Sequence, residues 1–263
     1  MSSTLTSRPR LLPISATDET FAGITYHLDG AIVPVLTVEI TPKASVYFEH
    51  HVMFWKKTGV EIGLMPLKGM MKRMFAGMQI FITEATGQGA IAFSRDGAGQ
   101  IFALHMNHGE EIHVREHQFL AASWALEYNF ERVKGLGNLI FGGSGFFIDK
   151  FHARKQEGIL WLHGYGNVFE LELAPGEQID VEPGGWIYKD ASVKMDIKLQ
   201  SLSSGLFGSM GRRFVLNRFT GPGRLGLQSM AIQPDSSGSD ASQATSWGVV
   251  GGVIGGLLRG LAK

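Results

Sequence analysis

The sequence predicts an all-β domain in which three pseudo-equivalent units of about 66 residues close around one core. Three observations carry that prediction. First, Phe75-Ala76-Gly77-Met78, Phe141-Gly142-Gly143-Ser144 and Phe207-Gly208-Ser209-Met210 begin 66 residues apart, and each precedes an apolar run. Second, 35 glycines against 9 prolines punctuate short apolar segments, which calls for many tight turns. Third, the copy that begins at Phe207 stops near Ile232, while residues 35–46 resemble residues 168–179. The N-terminal segment therefore completes the third unit. The result is a double-stranded β-helix-like ring without a free sheet edge.

The elements follow in chain order. Residues 1–20 carry Arg8, Arg10 and several Ser and Thr with no acid before Asp18, and read as a flexible tail. The repetitive all-β domain spans residues 21–232. Residues 67–75 form a methionine-rich connector, with counterparts at 133–141 and 199–207. After each connector the pattern is strand, turn, strand. Ile80-Phe81-Ile82 precedes the Gly87/Gly89 turn and Ala90-Ile91-Ala92-Phe93. Phe146-Phe147-Ile148 precedes Gly158 and Ile159-Leu160-Trp161-Leu162. Phe214-Val215-Leu216 precedes Gly221-Pro222-Gly223 and Leu225-Gly226-Leu227. The second halves also correspond. Gly109-Glu110-Glu111-Ile112-His113-Val114 leads to Phe119, and Pro175-Gly176-Glu177-Gln178-Ile179-Asp180-Val181 leads to Trp186, with Glu111 read as the counterpart of Glu177. Residues 233–246 are a Ser/Gly/Asp linker, and residues 247–263 are a Gly-rich apolar tail.

Composition narrows the function. Lys plus Arg equal Asp plus Glu at 24 each, so no nucleic-acid partner is expected. The chain has no cysteine, which excludes disulfides, thiol catalysis and cysteine-ligated metals. No apolar run reaches the roughly 20 residues of a spanning helix, and no signal-peptide pattern is present.

The densest polar cluster is His105, His108, Glu111 and His113. Imidazoles and a carboxylate suit zinc, nickel or iron, as in a cupin-like metalloenzyme. Against this, His105 and His108 lie three apart across a strand and turn and point to opposite faces, whereas Glu111 and His113 share one. Backbone hydrogen bonding explains a glutamate at a repeated turn more simply than ligation. Gly142-Gly143-Ser144-Gly145 lacks the Lys and following helix of a phosphate loop, and Ser144 lacks a nucleophile elbow. The recurring aromatics read as core. No catalytic residue and no cofactor are predicted. In the tail, Trp247, Val250, Ile254, Leu257 and Leu258 are the apolar positions for docking on a protein partner, a second subunit or a membrane surface. Folding back on the chain's own domain is the alternative.

In order along the chain, residues 69–81, His108-Gly109-Glu110-Glu111, Phe119-Leu120-Ala121-Ala122-Ser123, residues 135–147, Leu173-Ala174-Pro175-Gly176-Glu177 and Arg218-Phe219-Thr220-Gly221-Pro222-Gly223 resemble the altered-inheritance-of-mitochondria protein 24 family. Together they cover most of residues 30–232. The resemblance implies an all-β fold akin to the tryptophan-RNA-binding attenuation protein and transfers no catalytic residue. Fold kinship alone does not transfer tryptophan or RNA binding. The expected function is non-enzymatic binding or assembly by a homo-oligomer. The alternatives are a cupin-like metal-dependent enzyme and a carrier or sensor of an apolar small molecule. The expected location is the cytoplasm, with the mitochondrion, where the fungal relatives act, as the alternative.

Overall fold

The computed structural model describes residues 10–12, 18–65, 82–133, 146–201 and 213–231. The three Phe-Gly motifs, most of their connectors (all but residues 133 and 199–201) and the tail beyond residue 231 lie outside these. The described residues form an all-β fold with antiparallel pairing throughout. In chain order the strands are β1 (Arg10–Leu11), β2 (Glu19–Phe21), β3 (Ile24–Asp29), β4 (Val35–Ile40), β5 (Val46–Glu49), β6 (Met53–Lys56) and β7 (Val60–Leu64). They continue as β8 (Ile82–Gly87), β9 (Gly89–Phe93), β10 (Gly99–Met106), β11 (Glu111–Arg115), β12 (Phe119–Ser123) and β13 (Glu127–Val133). The last are β14 (Phe146–His152), β15 (Gly158–Tyr165), β16 (Val168–Leu173), β17 (Gln178–Val181), β18 (Trp186–Asp190), β19 (Lys194–Ser201), β20 (Arg213–Thr220) and β21 (Gly223–Gln228). A 3-10 turn, His50–Val52, separates β5 from β6. Arg10 and Leu11, within the segment expected to be a tail, pair with Glu170 and Phe169 of β16.

Pairing follows one scheme at three places. The triplets β5-β8-β7, β11-β14-β13 and β17-β20-β19 are each hydrogen-bonded in that order, and so are β4-β9-β6, β10-β15-β12 and β16-β21-β18. Two junctions then fuse triplets into longer sheets. At one, β12 pairs with β5 (Ala121 opposite Phe48, Ala122 opposite Tyr47). At the other, β18 pairs with β11 (Tyr188 opposite Val114, Lys189 opposite His113). Among the described residues, β6 pairs only with β9 and β17 only with β20.

Local chemistry recurs with the pairing. Register shifts fall between Met53 and Trp55, Phe119 and Ala121, and Trp186 and Tyr188, so Phe54, Leu120 and Ile187 are equivalent bulge residues. The turns before β5, β11 and β17 close through Ala44 N–H to Thr41 O at 2.9 Å, Glu110 N–H to Asn107 O at 3.0 Å and Glu177 N–H to Ala174 O at 3.0 Å. Gly109 and Gly176 hold φ of +90° and +77°, where a side chain would be strained. The carboxylates of Glu110 and Glu177 accept the Asn107 and Ala174 N–H groups, each at 2.7 Å. Glu177 therefore corresponds to Glu110 and not to Glu111. The second spacing is one residue longer than the first, which displaces the sequence alignment.

Alternation places the core. Ile24, Tyr26 and Leu28 of β3 and Leu36, Val38 and Ile40 of β4 face inward, with the intervening residues more exposed. β15 is flanked by β10 and β12 and buried on both faces almost throughout. The buried apolar residues form three clusters. Trp161 meets Tyr26 edge-on at 5.3 Å in the first, Phe119 meets Phe151 at 4.8 Å in the second, and Trp186 meets Phe219 at 5.4 Å in the third.

Candidate functional site

Charged side chains gather at the turns that leave β5 and β11. Glu49 ends β5 and Arg95 follows β9, and both side chains are almost fully buried. Arg95 Nη1 donates to Glu49 Oε2 at 2.7 Å, and Arg95 Nη2 donates to the His117 carbonyl. His51 Nε2 lies 3.0 Å from Arg95 Nη1 and 3.3 Å from Glu49 Oε2. Burial alone would lower the proton affinity of Arg95, but the Glu49 carboxylate outweighs it and raises the pKa. Burial lowers the pKa of His51 and His117, opposed in both by Glu49. Arg115 and Glu116 join the group from the end of β11. Burial lowers Arg115, opposed by Glu182 and Glu116, and raises Glu116, opposed by the Phe147 N–H at 3.4 Å.

His163 on β15 lies beside this group and is completely buried. Gly99 makes room for it, since a Cβ there would stand 2.9 Å from the imidazole. Neither ring nitrogen meets a hydrogen-bond partner of good geometry. Burial, reinforced by the Arg95 charge, pushes His163 down to about 4. The ring is neutral at pH 7.

A second group crosses the seven-stranded sheet. His113 stands between Lys150 of β14 and Lys189 of β18 in register. His113 Nε2 is 2.6 Å from Glu111 Oε1, and Lys189 Nζ is 3.1 Å from His113 Nδ1. Lys189 Nζ also donates to the Val193 carbonyl at 2.7 Å. Burial and then the Lys150 charge push Lys189 down to about 8. Burial and Lys189 lower His113, while burial of Glu111 is outweighed by its bond to His113, so that Glu111 is lowered. A cleft of about 330 Å³ opens beside Glu110, Glu111, Glu172 and Asp190. Arg224 is bound to Asp190 at 3.0 Å and lies 3.8 Å from Glu110. The cleft is lined mainly by charged and polar side chains.

The four candidate ligands are divided among three places. His105 stacks on Phe21 at 4.2 Å and lies 3.2 Å from both Glu19 and Tyr26 of the β2–β3 hairpin. His108 is exposed in the Asn107–Glu110 turn. Glu111 and His113 are together on β11, with His152 Nδ1 3.8 Å from Glu111. Among the described residues, no three His, Asp or Glu side chains converge as metal ligands. Trp247, Val250, Ile254, Leu257 and Leu258 lie outside the described residues. No helix of the described residues is long and apolar enough to cross a membrane.

Sequence reasoning missed Glu49 and Arg95. Its available signal was a charge at the end of an apolar run, as in Val46-Tyr47-Phe48-Glu49 and Ile91-Ala92-Phe93-Ser94-Arg95.

No curated protein matches the chain. A crystal structure of a Streptococcus pyogenes protein is similar in fold, with 21% sequence identity and a TM-score of 0.62 over 79% of this chain and 94% of that one. The family model described as mitochondrial biogenesis AIM24 matches residues 26–230. This chain belongs to the mitochondrial biogenesis AIM24 family.

Proposed function

We propose that this chain is a non-enzymatic assembly protein. Its three six-strand units act as repeats of one double-stranded β-helix-like scaffold, which self-associates into a homo-oligomer. The apolar tail positions Trp247, Val250, Ile254, Leu257 and Leu258 serve as a second contact, for a protein partner or a membrane surface. The scaffold works in the cytoplasm, with the mitochondrion as the alternative that the family description favours. One observation carries this reading: Glu49, Arg95, Glu111, His113 and Lys189 are held by one another, and His163, which has no such partner, is sealed from solvent. Glu49 neutralises Arg95, and Glu111 and Lys189 hold His113 from both ring nitrogens. A catalytic acid or base needs a free face toward substrate, and these groups are committed to holding strands together.

Native mass spectrometry of untagged, gently purified full-length protein tests this. An integer multiple of the chain mass, with nothing added, is the expected result. A monomer would count against assembly. A stoichiometric metal would revive the metal-dependent enzyme, with Glu111 and His113 the first residues to mutate, and a bound organic molecule would revive the carrier.

A further inference from the structure

β6 differs from its two structural counterparts in one respect. Its bulge aligns Met53 with Phe119 and Trp186, Phe54 with Leu120 and Ile187, and Trp55 with Ala121 and Tyr188. The six counterparts are fully buried, whereas Met53, Phe54 and Trp55 are 39%, 64% and 38% exposed. The composition is equally apolar in all three strands, so composition does not explain the difference. The neighbour does. β12 is covered at its edge by β5, and β18 by β11, while among the described residues β6 has no strand at that edge. The strand that corresponds to β5 and β11 is β17, and it too ends a sheet. An apolar strand edge of this kind templates pairing with another chain.

We propose that β6 of one molecule pairs antiparallel with β17 of a second copy of this chain. The proposal rests on the assembly reading above and names its contact surface. The two existing junctions share one register. Ala121 opposite Phe48 corresponds to Tyr188 opposite Val114, and Ala122 opposite Tyr47 corresponds to Lys189 opposite His113. Carried to the open edges, that register sets Trp55 opposite Val181 and Lys56 opposite Asp180. The charges agree with it. β6 runs into Lys56 and Lys57, while β17 carries Asp180, whose carboxylate also holds Arg218 of β20 at 2.6 Å, and is flanked by Glu177 and Glu182. Opposite charges directly across a strand pair stabilise it, and like charges do the reverse. Each molecule offers one edge of each kind, so reciprocal pairing closes a two-fold dimer and one-way pairing closes a larger ring.

The chain has no cysteine, so the register can be read by cross-linking. Directly opposed residues have Cα atoms about 4.5–5.5 Å apart, within the range that a disulfide spans. Full-length Lys56→Cys and Asp180→Cys are mixed and mildly oxidised. The expected result is a covalent dimer in the mixture, at least tenfold more abundant than with Lys155→Cys, on an exposed turn, in place of Asp180→Cys. Separately, Phe54→Asp is expected to convert the assembly to a monomer that remains folded, because Phe54 is exposed in the single chain. An intramolecular disulfide in the Lys56→Cys/Asp180→Cys double variant, at any dilution, would show that the edges meet within one chain and overturn the proposal. So would a monomer in which Phe54 becomes accessible only after residues 234–263 are removed, since the tail would then own the edge. If native mass spectrometry gives an oligomer that neither cross-links nor dissociates in Phe54→Asp, the proposed contact falls while the assembly reading stands. A monomeric wild type removes both.

Discussion

Acid should weaken this fold in part through one residue, His163. Its ring is fully buried beside Arg95 and faces Gly99 and Tyr165, the latter edge-on at 4.8 Å. The folded state holds its pKa near 4, against 6.5 for an exposed imidazole. The sign follows from linkage. Between these values the unfolded chain binds a proton that the folded chain refuses, so stability is complete above pH 6.5 and falls as the pH drops toward 4. A gap of about 2.5 pKa units, at about 1.4 kcal/mol each, amounts to about 3 kcal/mol. The perturbation is His163→Gln, which removes the titrating group and keeps a polar side chain of similar reach. Urea unfolding followed through the buried Trp161 and Trp186 would be run from pH 7 to pH 4 on both proteins. The burial-depressed His51, His113 and His117 contribute in the same direction to both and cancel in the difference. The wild type should lose about 3 kcal/mol more than the variant across that interval. Parallel profiles, differing by less than about 1 kcal/mol, would refute the reasoning. A His163 ring resonance that titrates near 6.5 in the folded protein would do the same.

Two further outcomes follow from the charged groups. Glu49→Leu strands the Arg95 guanidinium without its counter-charge and should destabilise the domain by about 3–5 kcal/mol, while Glu49→Leu/Arg95→Leu should recover most of that loss; a cycle of denaturant titrations with no coupling would show that the pair is solvated. Lys189 has its folded pKa lowered to about 8, so the folded chain sheds its proton before the unfolded chain does. The wild type should therefore gain about 3 kcal/mol relative to Lys189→Met as the pH rises from about 8 to about 10.5, read by the same titrations under alkaline conditions.

Strand positions were legible in the sequence wherever the signal is local. The alternation in β4, the apolar run of β15 and the glycines at the turns before β11 and β17 each follow from a few adjacent residues. The polar cluster was legible only in part. Glu111 and His113 share a face of β11, as a spacing of two requires, but His105 is drawn to Glu19 and Tyr26, partners about eighty residues away that no local pattern announces. The pairing of Glu177 with Glu111 failed for a related reason. A one-residue insertion leaves the apolar rhythm almost unchanged, and only the hydrogen bonds of Glu110 and Glu177 to equivalent turn amides fix the alignment. Arg95 and Glu49 look like surface charges until β5 and β9 place them against each other under a layer of turns.

The exposure of β6 is the least local property of all. Met53-Phe54-Trp55 and Trp186-Ile187-Tyr188 are interchangeable as sequence, and both carry the same bulge, yet one is exposed and the other buried. What separates them is whether a second strand lies along the edge, and that is decided by how three units close. A ring closed at every junction would satisfy all its edges internally and would have no strand left with which to join another molecule. Among the described residues two junctions are closed, in identical register, and the third leaves its two complementary strands unpaired in separate sheets. The cost of that opening is the hydration of three large apolar side chains and a row of backbone groups, which a fold with two working examples of the closed form has no internal reason to bear. Pairing between molecules gives it one. On the proposed pairing, the edge that the repeat scheme leaves over is the one that joins two copies, and a Lys56–Asp180 cross-link between molecules is its measurement.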